Sequence, residues 1–122
     1  FMEVFTFGVG HGGIESIMIV GLGVMLSDVS SVDDFSLIMG GVERVFAMCM
    51  HLAFTFLVYT QISKRQKYGL VLSILAHTFV NFIAVYLMRL GYGILTVEFS
   101  LFVMAVIAIV YVLHERSRFN EI

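Results

Sequence analysis

Residues 69–90 read GLVLSILAHTFVNFIAVYLMRL, a stretch whose only formal charge is Arg89 near its end. A helix needs about 20 mainly apolar residues to cross the roughly 30 Å hydrocarbon layer of a bilayer. This segment meets that length, and three others do so as well, at about 4–27, 42–61 and 94–113. Composition agrees: 60% of the residues are hydrophobic, 13% are charged and mean hydropathy is +1.00, whereas soluble domains carry about 25% charged residues. The expected fold is all-α, a polytopic transmembrane bundle of about four spanning helices forming a single domain over 1–122. Because the chain begins at Phe1, it reads as the C-terminal part of a larger membrane protein.

The connections carry the remaining polarity. Ser27–Ser36 holds Asp28, Asp33 and Asp34 among serines and reads as a polar loop with helix caps. Lys64, Arg65 and Lys67 fill the second gap, and Gly91 and Gly93 punctuate the third. Alternating spans put Lys64, Arg65, Lys67, Arg116 and Arg118 on one side, which the positive-inside rule makes cytoplasmic. Both ends of the chain are then expected in the cytoplasm, with the protein integral to a bacterial or archaeal plasma membrane. A net charge of −2 without a basic stripe argues against nucleic acid as a partner. Cys49, the single cysteine, allows neither an internal disulfide nor a CxxC motif. An internal duplication pairing His11-x3-Glu15 with His77-x3-Asn81 fails, because the fourth span has Met104 and Ala105 where a counterpart of His51 belongs.

The polar groups inside the spans need an explanation, since a charge at mid-bilayer costs about 2.5–3.5 kcal/mol on insertion scales. Counting about 1.5 Å per residue from the cytoplasmic ends puts His11 about 10 Å deep, His77 about 12, His51 about 15, Glu15 about 16 and Asn81 about 18. Three spans thus contribute to one slab. His11 and Glu15 share a helix face, as do His77 and Asn81. Gly8, Gly10, Gly12 and Gly13 strip side chains from the first span, so a neighbouring backbone or a bound peptide can come close. An isolated intramembrane His or Asn is often only interhelical glue worth about 1 kcal/mol; the shared depth of Glu15 and three histidines is what argues for a site.

Residue types eliminate several chemistries. The His-Glu-x-x-His signature is absent, the only His-Glu step being His114-Glu115 at a helix end. Every aspartate lies in the 28–34 loop, which leaves no intramembrane pair for an aspartyl mechanism. Ser16 points about 100° away from Glu15 around the helix, and Ser73 has no distinctive context, so a serine nucleophile is disfavoured. Gly8-x-Gly10-x-x-Gly13 matches a dinucleotide fingerprint formally but has no strand before it. Two options survive. One is a glutamate base assisted by histidine, which requires no cofactor. The other is a metal, with zinc the candidate, held by members of His11, Glu15, His51 and His77.

Gly10-His11-Gly12-Gly13-Ile14-Glu15, Glu43-Arg44 followed by His51, and His77-Thr78-Phe79-Val80-Asn81 together resemble the YhfC-type membrane peptidases. That group is related to the CAAX prenyl protease 2 and bacteriocin-processing superfamily of glutamate intramembrane proteases, and the likeness is firmest over about 8–82. The resemblance implies that Glu15 and His51 activate water while His77 and Asn81 support the oxyanion. The superfamily's first motif is Glu-Glu-x3-Arg, where this sequence has Ser16 after Glu15 and Ile19 at the arginine position. Its second is Phe-x3-His, where Ala47 stands before His51; only His77-x3-Asn81 matches outright. Glu43 is therefore a rival base and Arg44 a substitute for the arginine.

The expected function is an intramembrane endopeptidase acting on membrane-embedded or lipid-associated peptide substrates. Its catalytic candidates are Glu15, His51, His77, Asn81 and Glu43, and His11, Gly12 and Arg44 are its substrate-binding candidates. The alternatives are a proton- or ion-coupled transporter, because Glu and His chains at mid-membrane also serve as relays, and a non-catalytic scaffold descended from a peptidase. Arg89, Glu98 and His114 are expected to be structural.

Overall fold

The computed structural model describes residues 1–26, 32–66 and 68–119, with residues 118 and 119 described for their backbone alone. Asp28 and Lys67, which enter the charge pattern of the sequence, lie outside the described residues, as does the side chain of Arg118. Among the described residues there is no strand. Four helices are long and apolar enough to cross a membrane. We label them α1 (Met2–Leu26), α2 (Asp34–Ser63), α3 (Tyr68–Arg89) and α4 (Ile94–Phe119).

The helices track the apolar runs, and their ends are set by local chemistry. α2 starts at Asp34 rather than at about 42. Asp33 caps it: the Ser36 amide donates to Asp33 Oδ1 at 2.9 Å and the Ser36 hydroxyl to Oδ2 at 2.7 Å. A hydropathy window ends where acids begin, but those acids suit a helix N-terminus, whose unpaired N–H groups attract negative charge. At the other end of α2, Arg65 adopts φ 56°, and the Gln66 amide bonds the Gln61 carbonyl at 2.8 Å. The end of α3 repeats this closure with Gly91 at φ 81° and a Tyr92 to Leu87 bond of 3.2 Å. α1 is regular through Ser16, widens into a π-turn over Ile17–Gly21 and resumes over Leu22–Leu26. A π-turn rotates the later part of a helix relative to the earlier part, and such turns recur at functional sites.

α2 is the central element, packed against α1, α3 and α4, while α4 also touches α3. On α4, Val97, Leu101, Ala105, Ala108 and Val112 recur at helical spacing and are buried. They face an α2 stripe of Met50, Ala53 and Phe56, the last fully buried. The small side chains let α4 lie close to α2, as small residues do where lipid supplies no hydrophobic drive between helices. Val71, Leu72, Leu75, Phe79 and Phe82 cover an outer surface of α3 and are exposed. In water that surface would be a large sticky patch; in a bilayer it faces its proper solvent. No comparable packing joins α1 to α3, and the space between them is where the polar groups collect.

Candidate functional site

The approach of α1 to α2 is set by two glycines one turn apart. A Cβ on Gly8 would stand 2.9 Å from Leu52 Cδ1, and one on Gly12 would stand 3.2 Å from His51 Cβ. Gly10 and Gly13 face away, with nothing within 4 Å. Only two of the four glycines therefore serve the interface, and Gly12 serves it by admitting the His51 side chain.

That approach brings Glu15 against His51. His51 Nε2 lies 3.0 Å from Glu15 Oε2, and His77 Nε2 on α3 lies 4.0 Å from Glu15 Oε1. The first distance is within hydrogen-bond reach and the second is a looser ionic approach. His51 is 6% exposed and Glu15 31%, so the contact joins a buried ring to a carboxylate that opens onto a cavity. The imidazoles gather round it: the His11 and His51 rings are 5.3 Å apart edge to face, and those of His51 and His77 are 4.9 Å apart. Phe7 stacks on His11, and Phe54 tilts against His77 at 5.8 Å, which restricts both rings. Four of the five residues in the expected slab thus converge from three helices.

The other candidates lie on one side of this cluster. Asn81, one turn beyond His77, lines a cavity of about 320 Å³ together with Glu43 and Arg44. Glu43 is paired with Arg44, its neighbour in sequence. A larger cavity of about 750 Å³ runs the other way between α1, α2 and α3, past Phe7, Thr55, Val58, Leu70 and Ile74. Glu15, His51, Phe54 and His77 line both cavities and form the partition between them.

Two polar groups escaped the reading by depth. Glu98, expected to be structural near an interface, is buried at 8% exposure, and its Oε2 has no protein hydrogen-bond partner among the described residues. Its place on the Val97 and Leu101 side of α4 was the available signal. Glu115 is buried at the far end of α4, where it accepts a hydrogen bond from Thr60 Oγ1 at 3.0 Å. Nothing local in sequence pairs residues so far apart.

His11, Glu15 and His51 each offer a donor atom, and these atoms all lie within 4.8 Å of one another. Two imidazoles and a carboxylate are a zinc-type donor set; with bonds of about 2.0–2.1 Å, tetrahedral donors stand about 3.3 Å apart. His51 Nε2 and Glu15 Oε2, 3.0 Å apart, are already near that spacing, and the chemistry of the three donors fits such an ion. His77, nearest to Glu15 Oε1, stands at the edge of the set.

Comparison with known proteins agrees in class. The family described as YhfC intramembrane metalloprotease matches residues 23–108. The matched stretch contains Glu43, Arg44, His51, His77, Asn81 and Glu98, while His11 and Glu15 precede it. No curated protein and no solved structure matches the chain.

Proposed function

The chain belongs to the YhfC intramembrane metalloprotease family, and on that premise we propose that it hydrolyses peptide bonds of membrane-embedded substrates at the cluster of His11, Glu15, His51 and His77. The observation that carries this reading is the position of Glu15. Its carboxylate meets His51 at 3.0 Å through one oxygen, faces His77 at 4.0 Å through the other, and stands where two cavities join.

Each residue then has a task. His11, Glu15 and His51 would hold a zinc-type ion, which when bound polarises a carbonyl and makes water acidic enough to attack near neutral pH. In the route without a metal, Glu15 Oε1, the oxygen turned away from His51, would accept a proton from the attacking water and pass it to the leaving amine. His51, packed against Gly12, holds the carboxylate in a single orientation. His77 and Asn81 share the face of α3 toward the cluster and donate to the oxygen on which charge develops. Glu43 ranks behind Glu15 as base because Arg44 already engages it. The apolar walls of the larger cavity suit the side chains of an unwound membrane segment. The Lys64 end of the bundle is the cytoplasmic face in this reading, from the basic residues gathered there.

The direct contact of Glu15 with His51 also supports a second reading, in which the pair activates water without a metal. One experiment separates them. The intact protein, Glu15→Gln and His77→Ala are compared for cleavage of a membrane-tethered peptide library, with and without a chelator. The proposal expects loss of cleavage in Glu15→Gln, strong impairment in His77→Ala and loss on chelation. Full activity in chelator assigns the metal-free route, and unchanged cleavage by Glu15→Gln removes Glu15 from the chemistry.

A further inference from the structure

The two cavities that meet at the cluster differ in their walls. The larger is faced mainly by apolar groups such as Phe7, Val58, Leu70 and Ile74. The smaller runs from the cluster toward the Asp33 end of α2, past Asn81 and the Glu43–Arg44 pair. Within electrostatic reach of that pair lies the buried carboxyl of Glu98, with its Oε2 lacking a protein partner among the described residues. Leu101, about one turn along the same face of α4, forms part of the cavity wall.

A carboxylate oxygen enclosed without a donor is costly. Polar, roomy interiors meet that cost with water, each molecule taking about 30 Å³ and needing two to four polar partners. The smaller cavity, at about 320 Å³, has room for roughly ten. Glu43, Arg44, Asn81, His77 and Glu15 supply partners along its length. Hydrolysis consumes one water for every bond cut, and hydrocarbon supplies none.

We propose that the smaller cavity is a water chamber feeding Glu15 from the Asp33 end, and that Glu98 is a positioning residue that, with Glu43 and Arg44, keeps the chamber hydrated. The proposal rests on the hydrolytic function proposed for the cluster. Peptide occupies the larger cavity, water the smaller, and the Glu15 carboxylate stands between the two reactants.

Thiol accessibility of the intact protein in lipid nanodiscs tests this. Cys49 is replaced by alanine, and single cysteines are placed at Ala84, in the smaller cavity, and at Ile107, on the exposed apolar side of α4. The probe is a membrane-impermeant cationic methanethiosulfonate, which reacts with the thiolate and hence with a hydrated site. Ala84→Cys should react about tenfold or more faster than Ile107→Cys. Adding Glu98→Leu should slow Ala84→Cys about tenfold, while Glu98→Gln, which still binds water, should stay within about twofold. Equal protection of Ala84→Cys and Ile107→Cys overturns the chamber; unchanged labelling in Glu98→Leu overturns the role of Glu98. Labelling needs no substrate, so the two readings fail separately. Cleavage with a protected Ala84→Cys keeps the protease and removes the chamber, whereas rapid labelling without cleavage keeps the hydrated cavity and removes the reaction.

Discussion

Replacing Gly12 with alanine should damage catalysis while leaving the fold as stable as before. The added Cβ would stand 3.2 Å from His51 Cβ, 3.3 Å from Cδ2 and 3.4 Å from Cγ. Carbon atoms settle at about 3.5–4.0 Å, so the His51 ring or α1 must yield by a few tenths of an ångström. The same ring holds the 3.0 Å contact with Glu15, and the displacement acts on that contact directly. A misplacement of about 1 Å costs on the order of 100-fold in rate, so a few tenths should cost roughly three- to tenfold in kcat/KM. Stability has a compensating contribution, because Gly→Ala in a helix interior gains about 1 kcal/mol. Gly10→Ala is the matched control, with the same helical gain and nothing within 4 Å. The assay pairs cleavage of a membrane-tethered reporter with thermal unfolding in detergent. Gly12→Ala with wild-type kcat/KM, or Gly10→Ala with an equal loss, would refute the assignment of Gly12 as the seat of His51.

The helix ends and the buried Thr60–Glu115 bond between α2 and α4 lead to three further expected outcomes. Arg65→Gly should stabilise the protein by about 1 kcal/mol, because residue 65 closes α2 at φ 56°, where glycine pays no Cβ penalty; a lower unfolding temperature would contradict it. Thr60→Val keeps the shape of the side chain but removes the hydroxyl that donates to buried Glu115, and should cost about 1–3 kcal/mol. Glu115→Gln, added to it, should recover part of the loss if desolvation of the charge is the cause. The bonds from the side chain and amide of Ser36 hold the Asp33 carboxyl below its ordinary range. A group whose pKa is lowered by folding contributes stability above its unfolded pKa and loses it as pH falls through the folded value. Asp33→Ala should therefore lower the unfolding temperature at neutral pH, and the gap to wild type should shrink in acid; a gap independent of pH would show that the charge of the cap does not matter.

Much of the bundle was legible in sequence because hydropathy is a local quantity. Four apolar runs became four helices, and acids and glycines marked their ends. The start of α2 lies about two turns ahead of the apolar run, since a cap acts through its hydrogen bonds rather than its polarity. Depth along each helix is readable as well, and it groups His11, Glu15, His51 and His77 without any knowledge of their contacts. Direction around each helix was not. Glu98 and Glu115 sat at helix ends by depth, where a solvated role is the usual one, and only packing against α2 showed them buried.

Membrane class, the number of spans and the short list of buried polar residues come from the sequence by itself, because apolar length and helical rise need no knowledge of neighbours. The tertiary structure alone decided that the Glu15 carboxylate meets His51 and His77, and that Glu98 is buried on α4. Those facts depend on how far each helix is turned about its axis. That rotation is set by close packing between distant segments, Gly8 and Gly12 against α2 on one side and the alanines of α4 on the other.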